Sequence, residues 1–324
     1  MTSIRLDVAR AIASPPEDIV AGLTEEPRSI PCKYFYDDRG AALFEQICRL
    51  PEYYPTRTEI DILSRNIGSI SSWVGSRARV IEYGSGSGEK TRLLLDGLRD
   101  PHEYIPIDIC LPQLVRNAAQ VRREFSRLRV TPLHGDYTQR LRLPAAPNGW
   151  SGRSVVFFPG STIGNFEPLA AVAFLQRVAD VAGPAGGLLI GVDLKKAVAI
   201  LERAYNDAAG ITAAFNLNIL AHVNRLCGSD FNPALFEHVA FYDGKSRVEM
   251  HLRSRVDQSV TLRDATEGPT VLRLEQGELL GTEHCYKYDD DEFRDLVSQA
   301  GFSFRRRWID PRQWFGVYAF DVDA

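Results

Sequence analysis

A chain of 324 residues, 44% hydrophobic and 25% charged, is long enough for one large globular domain or two modest ones. A formal net charge of -4 excludes the basic footprint of a nucleic-acid-binding protein, and no apolar run approaches the length needed to span a bilayer. The five cysteines include no Cys-x-x-Cys pair and the six histidines no His-x-x-x-His pair, so neither a disulfide framework nor a metal is expected.

Arg5, Asp7 and Arg10 break the N-terminal apolar residues where a secretory leader needs an unbroken core, and a cytoplasmic monomer is expected. Ile4, Val8, Ala11 and Ile12 predict a short amphipathic helix before Pro15-Pro16, and Asp18 to Leu23 a second. A helix from about Gly40 to Arg49 follows, then one running towards Trp73 that Thr58 can cap. Two aromatic clusters, Tyr34-Phe35-Tyr36 and Tyr53-Tyr54, fall in loop-like surroundings between these helices. Packing beneath a loop and lining a pocket are both open to them.

Arg79 to Thr91 is the stretch around which the chain is organised. Val80 and Ile81 end an apolar run, Gly84, Gly86 and Gly88 alternate, and Lys90 to Leu98 reads as a helix: strand, glycine turn, helix. A phosphate-binding loop needs glycine directly before Lys-Thr, and a dinucleotide fingerprint needs its third glycine at the same place. Glu89 stands there, and its carboxylate opposes a phosphate. What remains is Glu82-x-Gly84-x-Gly86-x-Gly88, the pattern typical of S-adenosylmethionine-dependent methyltransferases. That cofactor has no phosphate to repel, and its methionine end carries an ammonium that an acidic loop accommodates. Taken alone, the three glycines also suit an ordinary tight turn.

Glu103 to Asp108 is a second strand ending in an acid, where a carboxylate can accept two ribose hydroxyls. A helix from Leu111 to about Leu128, a strand over Arg129 to Leu133 and Gly135-Asp136-Tyr137 come next. There an acid can take an adenine amino group while the adjacent ring packs on the base. A fourth strand, Ser154 to Phe158, runs into Pro159-Gly-Ser-Thr-Ile-Gly-Asn165, small residues and hydroxyls at the end of a central strand where open parallel sheets bind ligands. A helix from Pro168 to about Val181 and a strand from Leu188 to Val192 complete a parallel, doubly wound α/β sheet.

Residues 194–245 break the rhythm and read as helices, Leu201 to Ala208, Thr212 to Arg225 and Pro233 to His238. Arg247 to Val256 alternates, Val248, Met250 and Leu252 on one face and Glu249, His251 and Arg253 on the other, and Val271 to Tyr288 is strand-like. Asp291 to Ala300 is helical, and Phe304 to Ile309 can pair with Phe315 to Val322 as an antiparallel edge. That ending is how class I methyltransferase sheets close. The expected division is therefore a Rossmann-like cofactor domain over 61–193 and 289–324, and a substrate-binding domain over 1–60 and 194–288.

Several longer stretches resemble the histidine N-alpha-methyltransferases of ergothioneine biosynthesis over nearly the whole chain. They are Lys33-Tyr-Phe-Tyr-Asp, Leu50-Pro-Glu-Tyr-Tyr-Pro-Thr-Arg-Thr-Glu59, the loop Gly84 to Thr91, Gly160-Ser-Thr-Ile-Gly-Asn165, Arg203 to Asn216, and Thr282-Glu283 before Tyr286-Lys-Tyr. The resemblance implies S-adenosylmethionine as cofactor, bound by Gly84, Gly86, Lys90, Asp108, Asp136 and Tyr137, with Lys90 on the cofactor's carboxylate. It implies that Asn165 and Tyr205 hold the substrate's carboxylate, that Tyr36, Phe44, Tyr53, Gly160 and Thr162 surround its amine, and that Glu283 and Cys285 recognise its imidazole beside Met250. Tyr36 is the expected catalytic residue, easing proton loss from the amine.

One position departs from the family, which commonly has serine where this chain has Cys285. In a strand, Cys285 shares its face with Glu283, and a thiol is a weaker hydrogen-bond partner than a hydroxyl by about 1 kcal/mol. Two other functions stay open at this point. One is a methyltransferase of the same family acting on another amino acid such as tryptophan; the other is a non-catalytic module that binds S-adenosylmethionine as a regulator.

Overall fold

The computed structural model describes residues 17–146, 149–264 and 268–323. The helix expected over Ile4 to Ile12 lies outside them. The helices are α1 (Glu17–Thr24), α2 (Asp38–Ile47), α3 (Tyr54–Val74), α4 (Glu89–Gly97), α5 (Leu111–Glu124), α6 (Pro168–Ala182), α7 (Val198–Tyr205), α8 (Ile211–Cys227) and α9 (Asp290–Ser298). The strands are β1 (Arg79–Tyr83), β2 (Glu103–Asp108), β3 (Arg129–Val130), β4 (Leu133–His134), β5 (Ser154–Phe158), β6 (Gly187–Asp193), β7 (Phe236–Tyr242), β8 (Arg247–Ser254), β9 (Gln258–Asp264), β10 (Gly268–Leu274), β11 (Leu279–Tyr286), β12 (Phe302–Ile309) and β13 (Phe315–Val322). Among the described residues no helix is long and apolar enough to cross a membrane, and no group of three His, Cys, Asp or Glu is placed to hold a metal.

The chain divides into two compact units. One takes in Pro55–Lys195 and the residues from Lys287 onward. Its sheet has the order β12-β13-β6-β5-β1-β2-β3, with β4 also paired to β2. β1, β2, β5 and β6 run parallel, and β13 lies antiparallel between β6 and β12. This is the expected parallel Rossmann-like sheet with an antiparallel C-terminal edge, the class I methyltransferase fold. Both faces are covered, so strand residues are buried whichever way they point. Val80, Tyr104, Val155, Phe157, Leu189, Val317 and Ala319 pack with Ile62, Leu63 and Ile70 of α3 and Leu94 and Leu95 of α4. On the opposite face α6 packs on β5 and β6, and α9 packs on α6 and β12.

The other unit takes in residues 17–54 and Lys196–Tyr286. A three-stranded antiparallel sheet, β11-β8-β7, and the hairpin β9-β10 accompany the helices, and α8 packs against α2, β7 and β8. β8 alternates as predicted, with Val248, Met250 and Leu252 buried.

Three local expectations are corrected. The helix expected over Pro233 to His238 is a single 3-10 turn, Pro233–Leu235, capped where Asn232 accepts from the Ala234 N–H at 3.1 Å, and Phe236 already begins β7. The sequence Phe-Glu-His-Val-Ala-Phe-Tyr has the aromatic and β-branched residues that a pleated surface favours, and pairing with β8 overrides the local helical start. Thr58 is not a cap, because α3 starts at Tyr54 with Pro55 in its first turn, where a missing N–H costs nothing. Finally, Val271 to Tyr288 is two strands, β10 and β11, separated by a turn at Gly277 with φ +90°.

Candidate active site

In the sheet-bearing unit, β1 delivers the chain into a turn that bare backbone makes possible. Gly84, Gly86 and Gly88 have φ of +73°, +45° and +70°, a region that favours glycine. A Cβ on Gly88 would come within 3.0 Å of Arg92, and one on Gly84 would lie 3.8 Å from the Tyr137 ring. Beneath the turn, buried Glu82 takes hydrogen bonds from the Thr91 hydroxyl, at 2.8 and 2.7 Å to its two oxygens, and from the Tyr104 hydroxyl. Burial pushes its carboxyl up to about 8 against the pull of these hydrogen bonds.

Asp108, at the end of β2, faces the same turn. Its carboxylate accepts from the Cys110 N–H at 2.9 Å, the Gly86 N–H at 3.3 Å and the Ser85 hydroxyl at 3.4 Å. Burial raises its pKa against these hydrogen bonds. Asp136 Oδ1 closes its own turn on the Thr138 N–H, at 2.8 Å, and hydroxyl, at 2.6 Å. The Tyr137 ring stacks on Tyr83 with centroids 5.5 Å apart, edge-on to Phe158 and Phe174.

Lys90, in the first turn of α4, pairs with Glu59 of α3 at 2.5 Å, and the Gly160 N–H donates to that same carboxylate oxygen at 2.8 Å. Gly160, at φ +84°, opens a loop in which Ser161 is left-handed and accepts from the Asp193 N–H at 2.9 Å. Thr162–Asn165 forms a 3-10 turn, with the Thr162 hydroxyl on the Pro159 carbonyl at 3.1 Å. The sheet thus gathers bare backbone, a strand-end carboxylate, a stacked aromatic and a lysine. That set fits a nucleoside bearing an amino-acid tail, as S-adenosylmethionine does.

In the second unit, Tyr36 and Phe44 gather around a ring that is not among the expected site residues, and Tyr53 adjoins Phe44. Phe215 of α8 lies 5.9 Å from both Tyr36 and Phe44 and stacks on Phe35 at 4.4 Å, while Phe44 meets Tyr53 at 6.2 Å. Tyr36 and Phe44 are edge-to-face at 5.7 Å. Phe215 was visible in the matched stretch Arg203 to Asn216, and only its place on a helix hid it.

Glu283 pairs with Met250 and Cys285 with Val248 across β11 and β8, so Glu283, Cys285 and Met250 share one face. A register shift between Gly281 and Glu283 sets this phase, with the buried Thr282 hydroxyl on the Met250 carbonyl at 2.9 Å. Tyr205, buried at the end of α7, has its carbonyl 2.9 Å from His238 Nε2, and Asn216 Nδ2 lies 2.8 Å from His238 Nδ1. Since the amide nitrogen can only donate, Nδ1 accepts and Nε2 carries the proton. Burial holds the His238 pKa below its ordinary value and keeps the ring neutral. Asn216 also donates to the His251 carbonyl on β8 at 2.9 Å, so α8 carries both Phe215 of the aromatic cluster and a hydrogen bond to the sheet.

A family model described as histidine-specific methyltransferase, SAM-dependent, matches residues 16–322. The chain is 41% identical over 309 residues to a histidine N-alpha-methyltransferase of Mycolicibacterium smegmatis, covering 93% of this chain and 92% of that protein. It is 39% identical over 305 residues to one of Mycobacterium tuberculosis, with the same coverages. A 4-dimethylallyltryptophan N-methyltransferase of Aspergillus fumigatus is 27% identical over 312 residues, 92% of this chain and 91% of that one. With its fold, its glycine turn and this match over nearly its whole length, the chain belongs to the histidine-specific, S-adenosylmethionine-dependent methyltransferase family.

Proposed function

We propose that the enzyme methylates the α-amine of L-histidine three times to give hercynine, a step of ergothioneine biosynthesis. The observation that carries this reading is the buried face of β11 and β8, where Glu283 lies beside Met250 in a family defined by histidine. A carboxylate suits a ring bearing N–H donors. Bound S-adenosylmethionine supplies an activated methyl group on a sulfonium.

The chain's residues then have little covalent chemistry to do, and catalysis comes from positioning and from excluding water. Gly84, Gly86, Lys90, Asp108, Asp136 and Tyr137 bind the cofactor, Asp108 accepting the ribose hydroxyls and Lys90 the carboxylate. Glu283, Cys285 and Met250 receive the imidazole, and Tyr205 takes the carboxylate. The roles that the resemblance gives to Gly160, Thr162 and Asn165 on the substrate are part of the same proposal. Tyr36, Phe44 and Tyr53 surround the amine, where ring faces stabilise the fixed cation that each transfer approaches. The amine must shed its proton before it can attack, and Tyr36 positions it and eases that loss.

A tryptophan-like acceptor is the second reading, favoured by Cys285 in place of serine and by the relative that acts on 4-dimethylallyltryptophan. The deciding experiment is mass spectrometry after incubation with S-adenosylmethionine and each of the twenty amino acids separately. Trimethylated histidine alone is the expected product. A methylated product from a different amino acid would replace the histidine reading, and no product from any would favour a module that binds the cofactor without using it.

A further inference from the structure

Glu59 is fully buried, and one of its oxygens, Oε2, accepts from both Lys90 Nζ at 2.5 Å and the Gly160 N–H at 2.8 Å. Its other oxygen, Oε1, has no hydrogen-bond partner among the described residues. It presses on the β6 backbone so closely that a Cβ on Gly191 would lie 1.9 Å from it. A buried carboxylate with an unsatisfied oxygen costs stability, and an apolar side chain of similar size would cost less. Its value lies in what Oε2 holds.

A lysine ammonium has three donors, and fixing one on Glu59 sets the direction of the remaining two. A Cβ on Gly160 would lie 3.5 Å from Lys90 Nζ and 3.6 Å from Thr162 Oγ1, so the ammonium stands directly against the loop that Gly160 opens. Movement of Lys90 and movement of that loop therefore act on the same atom.

We infer that Glu59 is a positioning residue that fixes the Lys90 ammonium and the Gly160 amide on one oxygen, so that the cofactor's carboxylate contact and the start of the 160–165 loop are set together. The inference rests on the proposed role of Lys90 at the cofactor's carboxylate.

The test is a double-mutant cycle on the full chain, reading the Kd of S-adenosylhomocysteine by calorimetry, with thermal melting as a check on folding. Glu59→Ala should weaken binding about tenfold in the otherwise unchanged protein and less than about twofold in a Lys90→Ala background. The KM for histidine should rise in Glu59→Ala through the released Gly160 amide. Should Glu59→Ala fail to fold, Glu59→Gln, which keeps an oxygen acceptor but not the charge, is carried through the same cycle. An undiminished effect of the Glu59 change beside a damaging Lys90→Ala would overturn the inference alone. A Lys90→Ala protein that binds normally would overturn the role of Lys90, and this inference with it.

Discussion

Glu82 lies sealed beneath the glycine turn with its carboxyl pushed up to about 8, against about 4.5 for an exposed glutamate. The folded protein therefore keeps a proton that the unfolded chain releases. This contribution to stability is complete below about pH 4.5 and is lost as the pH rises towards about 8. Urea unfolding of Glu82→Gln across that window should show a shallower fall than the parent, and parallel curves would remove Glu82 as the source. At the amine, Tyr36→Phe should lower kcat roughly ten- to a hundredfold and alter its pH profile. An unchanged profile would end that role for Tyr36. At the ring-recognition face, Glu283→Ala should weaken histidine binding by roughly 1.5–3 kcal/mol while leaving cofactor binding within about twofold. Equal losses for both ligands would make Glu283 structural. Residue types drew attention to much of the candidate site, since acids at strand ends and rings in loops are conspicuous in sequence. Glu82 was visible only as the first position of the glycine motif and Glu59 only as the end of a matched stretch, because what distinguishes them is depth of burial and the partners that folding brings to them.

β6 shows what an element contributes beyond its residues. Its bare Gly191 lets α3 bring Glu59 against the strand, and its last residue, Asp193, meets Lys287 at 2.9 Å with both side chains about 1% exposed. Gly191→Ala should cost about 1–3 kcal/mol in denaturant unfolding, from overpacking against Glu59. Lys287→Met should cost roughly 3–5 kcal/mol, because it leaves a buried aspartate without its counter-charge. A loss below about 1 kcal/mol would mean that water reaches the pair. Elements were legible where they carry their own punctuation: apolar run, then glycine or acid, then helix, as from β1 to α5. β7 and β9 were not: β7 follows directly on the Pro233–Leu235 turn, which reads as a helix start, and β9 on a short polar turn, so pairing with β8 and β10 marks where they begin.

At the scale of the whole molecule, a parallel sheet closed by an antiparallel edge was legible, because alternating strands and helices admit few topologies, and the structure adds the strand order. The arrangement of the second unit was beyond reach, as β11 joins the β7–β8 hairpin only by reaching back past β9 and β10. If the cofactor belongs to the sheet-bearing unit, S-adenosylhomocysteine at a hundred times its Kd should stabilise the protein by about 2.7 kcal/mol. Added protection from hydrogen exchange should fall on β1, α4 and β2; protection confined to residues 196–286 would contradict the assignment. The position of β13 has a further consequence. It follows every other strand of its sheet along the chain, yet it lies in the interior, between β6 and β12. During synthesis β12 can find no neighbour, and β6 keeps an open edge, until residues 315–322 have left the ribosome. A nascent chain stalled just before Phe315 would expose a sticky strand edge, so the time spent finishing this short segment is when the protein most needs a chaperone.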